Sequence, residues 1–280
     1  TQNPTAGEEY RRDWHPEVFQ ITKRADKPIL IVGAGPAGME AAVTLGKQGF
    51  ENVHLVDKSG EMGGHLNWMT TMPGLHRWRS VAEYREVQIN KLPNVTFIPN
   101  TAMSAEDVLD YGAEIVIAAT GASWATDGMN TPTHDQLGDH VVVVDGDGYH
   151  MGATTAEFLA LQGRKVTYAT HWETLGPYMR FTLEEQRMYQ RLVELGVTIM
   201  SQHLVLAYEP GNVQMVHLWG GQEVSVNADS LALVTMRYSD SALYDALDEN
   251  EAGRAEAGVS QLHLIGDAYS PGILAQAIFS

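Results

Sequence analysis

The sequence predicts an α/β fold of two units, each a parallel sheet wrapped by helices, with the second unit inserted in the first. Three observations predict it. The apolar run Ile29-Leu-Ile-Val32 breaks into Gly33-Ala-Gly35-Pro-Ala-Gly38 and then the alanine-rich stretch Met39–Leu45, a strand–turn–helix pattern. Val141-Val-Val-Val144 opens a second run of the same kind. Near the end, Leu262-His263-Leu264-Ile265 closes on Gly266-Asp267 and returns the chain to the first unit. The expected division is a lead-in at 1–27, a first domain at 28–138 and 236–280, and a second at 139–235.

The lead-in is polar, and Trp14 and Phe19 within it need cover, so it reads as an extended docking segment. In the βαβ unit at about 28–57 each glycine has its own task. Gly33 permits the tight turn, Gly35 lets a pyrophosphate approach the backbone, and Gly38 brings the helix close to the strand. Pro36 and Ala37 stand between them at the helix amino end, where free N–H groups and the helix dipole favour phosphate. Glycine-rich turns of this kind also arise for packing alone, so the motif needs support from elsewhere. Asp57 supplies it: it closes the run Val53–Val56 at the spacing from which a carboxylate reaches a ribose. The alternative is a surface aspartate in the turn with Lys58-Ser59-Gly60.

Met62-Gly63-Gly64-His65-Leu66-Asn67 follows, whose paired glycines either bring N–H groups to a ligand or form a simple turn. Met72–Leu75 is a turn, and Trp78–Leu92 reads as a helix on which Arg77 and Arg79 fit a solvated face better than a cofactor contact. Val95–Ile98 is a strand, Ser104 opens a capped helical turn, and Glu114–Ala119 is a strand ending in Thr120-Gly121.

After a loop over 122–139, the second unit departs from the first. Its turn reads Asp145-Gly-Asp147-Gly148-Tyr149-His150-Met-Gly152, so a carboxylate stands where a pyrophosphate would lie. Crowding like charges there costs energy. The next strand, Lys165–Thr170, ends without an acid for a ribose or an arginine for a ribose phosphate. This unit therefore reads as a nucleotide-domain fold that holds no nucleotide. The helix of the second unit is expected over Ala153–Leu161, another over 181–196, and short strands at Leu204–Leu206, Val213–Trp219 and Ser230–Thr235. A last helix begins after Pro271-Gly272.

The chain has 280 residues, 44% hydrophobic, enough for a sizeable core. Its net charge of −17 repels nucleic acid and anionic membranes. No apolar run is long enough to span a bilayer and no signal peptide opens the chain, so the expected location is cytoplasmic. The start at Thr1 suggests a piece of a longer protein. With no cysteine, the chain can carry neither a redox pair nor a thiolate-bound cluster. Its histidines lack metal-ligand spacing.

The glycine turn, Ala118-Ala119-Thr120-Gly121 and Gly266-Asp267 together resemble the two-dinucleotide-domain flavoproteins of the pyridine nucleotide–disulfide oxidoreductase type, with two Rossmann-like domains. The resemblance implies that Asp267 meets a flavin ribityl chain. Thr1–Pro16, Gly63–Asn67 and Ala119–Gly128 resemble, more closely, the trimethylamine, dimethylamine and histamine dehydrogenases, relatives of 2,4-dienoyl-CoA reductase. That likeness covers the whole chain as the portion after an FMN barrel and a [4Fe–4S] segment. It implies ADP here in the amine dehydrogenases, or FAD in the reductase branch with NADPH in the second domain. It further implies electron flow from an amine through FMN and the cluster to an electron-transfer flavoprotein, with the barrel as intramolecular partner and a homo-oligomeric assembly. Carried over by position, Gly33, Gly35, Gly38, Asp57, Gly64, His65, Leu66, Thr120 and Asp267 fall on nucleotide-site motifs, with Pro36, Ala37, Lys58 and Gly121 beside them. The connector 122–140 and the region 207–230 are shorter than the family pattern.

Overall fold

The computed structural model describes Tyr10 and residues 20–23, 26–125, 137–209 and 211–279. Trp14, Phe19 and most of the lead-in, as well as connector residues 126–136, lie outside them. The chain forms two compact units, one comprising residues through Thr71, Leu75–Ser123 and Tyr238 onward, the other Met72–Gly74 and Trp124–Arg237.

In the first unit β1 (Ile29–Val32), α1 (Pro36–Lys47), β2 (Val53–Val56), α2 (His65–Met69), α3 (Arg79–Lys91), β3 (Val95–Ile98), α4 (Ala105–Tyr111) and β4 (Ile115–Ala118) follow in order. Ala122–Trp124 forms the short β5. Within 237–279 lie β13 (Arg237–Ser239), paired with β5, then α7 (Ala242–Glu249), α8 (Glu251–Ala257), β14 (Gln261–Leu264) and α9 (Leu274–Phe279). The sheet order is β14-β4-β1-β2-β3, parallel throughout. Parallel strands buried on both faces need continuous apolar runs, and β1 is buried at every residue. One face packs on Met39, Val43 and Ile89 from α1 and α3, the other on Val108 and Leu247 from α4 and α7. Val32 pairs with both Val56 and Ala118, and Ala118 with Leu264. The register thus brings four chain segments to one carboxyl edge: Gly33, Asp57, Ala119 and Ile265 each follow a strand there.

In the second unit β6 (His140–Asp145), α5 (His150–Leu161), β7 (Lys165–Thr170), α6 (Glu185–Glu194) and β8 (Thr198–Met200) build a parallel sheet with β12 (Ser230–Val234), in the order β12-β6-β7-β8. The strands β9 (His203–Glu209), β10 (Asn212–His217) and β11 (Glu223–Val226) form an antiparallel sheet. Two expected helix starts shift. α5 starts three residues before Ala153, and α6 starts at Glu185 rather than 181, because Pro177–Thr182 is a 3-10 turn ended by Leu183 at φ +61°. Among the described residues no helix is long and apolar enough to cross a membrane.

Candidate nucleotide-binding site

The glycine turn follows from local sterics. Gly33 has φ +110°, a conformation L side chains avoid, and a Cβ there would overlap the Ala119 carbonyl. A Cβ on Gly38 would overlap the Gly33 carbonyl oxygen, so α1 can approach β1 only with glycine at that position. Gly35 is different: it has an ordinary φ of −73°, and an added Cβ would have nothing within 4 Å. Space outside Gly35 is therefore open, at the amino end of a 12-residue helix that no side chain caps, with Pro36 in its first turn. This is the cradle a diphosphate requires, and the residues present fit one.

Asp57 stands at the carboxyl end of β2. Its Oδ2 accepts the Ala34 N–H at 2.6 Å, and its Oδ1 accepts the N–H and hydroxyl of Ser59, each at 2.7 Å. The carboxylate therefore braces the glycine turn itself, a duty the spacing alone did not reveal. A carboxylate has about four acceptor positions, so capacity remains for a ribose hydroxyl. Lys58 beside it is exposed.

The second glycine pair meets the first. Gly63 donates its N–H to Ala34 O at 2.8 Å, with φ +118°. A Cβ on Gly64, at φ +53°, would come 2.9 Å from the α-carbon of Gly35. Gly64 caps the five-residue α2, placing His65 exposed and Leu66 buried in its first turn. Thr120 and Gly121 turn the chain from β4 into β5, Thr120 donating its hydroxyl to Asp240 O and Gly121 accepting the Asp240 N–H at 2.9 Å. A Cβ on Gly266 would come 2.6 Å from the Ala37 methyl, so Gly266-Asp267 lies against the start of α1. Asp267 accepts the Gly272 N–H at 3.1 Å.

Sequence reasoning missed two groups. Ser59 orients Asp57 and is signalled only by its place two residues on, an aspartate-turn spacing. Arg79, assigned to a solvated helix face, is half-buried instead and donates to Asn67 Oδ1. Its signal is three-dimensional: α3 folds back over α2.

The second unit's turn is built otherwise. Asp145, the last residue of β6, is fully buried. Its Oδ1 accepts the N–H groups of Asp147 and Gly148, each at 3.0 Å, and its Oδ2 accepts the Tyr168 hydroxyl. A Cβ on Gly152 would come 2.5 Å from the Asp145 carboxyl carbon. Here the glycine makes room for a carboxylate rather than for close strand packing. Burial pushes the Asp145 carboxyl up to about 6, against the lowering effect of the Tyr168 hydrogen bond. Burial and the Asp145 charge hold the Tyr168 phenol well above its ordinary range. Tyr149 stacks on Tyr178 at 4.5 Å, and Trp172 meets the edge of Tyr178.

The first turn and its parallel sheet are those of an FAD-binding α/β fold, and comparison with known proteins puts the chain among FAD/NAD(P)-binding oxidoreductases. A model of the FAD binding domain matches residues 28–72, and one of the OYE-like second alpha/beta domain matches 125–230. The chain is homologous to the dimethylamine and histamine dehydrogenases over its whole length. It is 36% identical to dimethylamine dehydrogenase of Hyphomicrobium sp. (strain x), across 100% of this chain and 44% of that protein. Histamine dehydrogenase from Rhizobium sp. 4-9 superposes with a TM-score of 0.92 at 33% identity, over 99% of this chain and 46% of that one. NADH oxidase of Thermoanaerobacter brockii is 28% identical across 100% of this chain and 43% of its own length. The chain thus spans less than half the length of these relatives.

Proposed function

We propose that the first unit holds an adenine-bearing diphosphate, ADP or FAD, against the amino end of α1, and that the chain is the nucleotide-binding portion of an amine-dehydrogenase-like iron–sulfur flavoprotein. The observation that carries this is the contrast within one turn: Gly33 and Gly38 are closed in by backbone, while Gly35 opens on empty space beside Gly64. Gly35, Pro36 and Gly64 would border the phosphates, with Gly33, Ala37 and Gly38 shaping the turn behind them. Asp57 would meet the ribose, and Asp267 with Thr120 the far end of the ligand if that ligand is FAD. In this reading the longer protein oxidatively demethylates or deaminates a small amine and passes electrons to an electron-transfer flavoprotein. FMN and a [4Fe–4S] cluster would sit in other parts of that protein, since this chain has no cysteine to hold a cluster.

The NADH oxidase relative favours a second reading, an NAD(P)H-dependent FAD oxidoreductase of the 2,4-dienoyl-CoA reductase type. The buried Asp145 weighs against it, because its carboxylate already takes the turn N–H groups that a second dinucleotide would use. Heating the purified protein and weighing the released small molecule tests both. One equivalent of ADP per chain supports the first reading. A yellow protein bleached by NADPH supports the second, and release of neither nucleotide removes the site from the first unit.

A further inference from the structure

Arg79 opens α3, yet its guanidinium turns back to α2 and donates to Asn67 Oδ1. With the oxygen held by the cation, the Asn67 amide has one orientation, its Nδ2 donating to Met62 O at 3.0 Å. The same residue's backbone N–H donates to Gly64 O at 3.1 Å. A Cβ on Gly63 would overlap Asn67 Oδ1, so the amide lies directly against the Gly63 α-carbon. Asn67 therefore clasps Met62, Gly63 and Gly64, and this clasped loop is the one bonded to Ala34 and seated beside Gly35. Without the guanidinium the amide is free to flip, which would set its oxygen against Met62 O and release the loop. Glu83, 4.0 Å from Arg79 and largely exposed, is too weak a partner to fix the guanidinium elsewhere.

We propose that Arg79 is a positioning residue for the nucleotide: it sets the Asn67 amide, and through it the Gly63-Gly64 loop, without touching the ligand. This rests on the reading of the first unit as the diphosphate site. A double-mutant cycle on ADP affinity, measured by titration calorimetry on the full chain, tests it. Arg79→Ala and Asn67→Ala should each weaken ADP by about tenfold, and the double variant should be no worse than either single one, because one pathway is broken once. Arg79→Lys, which still offers a donor to Asn67, should recover most of the loss. Asn67→Asp keeps the partner of Arg79 but gives up the donor to Met62, and should lose as much as Asn67→Ala.

A guanidinium that bound phosphate directly would give additive losses, and Arg79→Ala would flatten the salt dependence of ADP binding. Either result, or unchanged affinity in Arg79→Ala, overturns the proposal. If the parent protein binds no ADP, the reading of the first unit fails separately. The clasp then still answers to amide exchange: the Gly63 N–H should exchange about tenfold faster in Arg79→Ala, and an unchanged rate rejects it.

Discussion

A methyl group added at Gly38 would land on the carbonyl oxygen of Gly33, whereas one added at Gly35 would meet open space. Gly38→Ala should therefore lower stability by about 1–3 kcal/mol in urea unfolding, the cost of forcing backbone apart. Gly35→Val should leave stability within about 1 kcal/mol of the parent yet abolish nucleotide retention, read as ADP or FAD released per chain. Full retention in that variant would remove the diphosphate from this turn. Asp57→Ala combines both effects. It frees the Ala34 N–H and takes away the acceptor for the ribose, so affinity should drop by about 1–3 kcal/mol with a measurable loss of stability. Asp145 makes a pH-dependent contribution. Its carboxyl titrates at about 6 in the folded protein against an ordinary 3.8, so the folded state holds the proton more tightly. This contribution is favourable below pH 3.8, falls as pH rises, and is lost above 6, a change of roughly 3 kcal/mol. Tyr168 and Asp147 are the titratable groups that face it. Asp145→Asn should consequently gain on the parent between pH 4 and 7, and a flat difference in unfolding free energy would refute the buried carboxylate.

At the scale of elements, an ion pair joins α1 and α3, Arg85 Nε to Glu40 at 2.7 Å, with the arginine side chain only 7% exposed. Arg85→Ala should destabilise by roughly 2–4 kcal/mol, since it strands a half-buried carboxylate. The double replacement Arg85→Met with Glu40→Gln should recover most of that in the same unfolding assay. Which elements were legible follows a physical rule. The apolar runs of β1, β2, β4 and β6 could be read directly, because buried parallel strands need hydrophobicity, and the glycines of the first turn because the step from strand to helix needs missing side chains. β14, an edge strand of Gln-Leu-His-Leu, was marked instead by the Gly266-Asp267 that follows it. Ser104 was legible as a cap and closes a full capping box with Asp107. The three-residue strands β5 and β13 were not, since each is defined only by pairing with a partner far away in sequence. α2 is too short to show a period, and the turn that delays α6 is set by the left-handed Leu183, a residue with no such preference. Likewise, the sequence placed a carboxylate in the second turn but not its direction. That Asp145 points inward depends on the Tyr168 hydroxyl from β7.

For the whole molecule, two similar sheets lead to unlike edges. One ends in glycines with room beside them, the other in an aspartate that consumes its own turn. The expected stoichiometry is one nucleotide per chain, and two equivalents would contradict it. The first sheet's edge is also completed late. β14 pairs with β4, yet the ribosome makes it only after all of residues 124–237. A nascent chain halted before Gln261 would own the glycine turn but lack Gly266 and Asp267 at its side. Nucleotide could then reinforce the first unit only once the intervening second unit has been made, which makes cofactor capture a late event rather than a seed for folding.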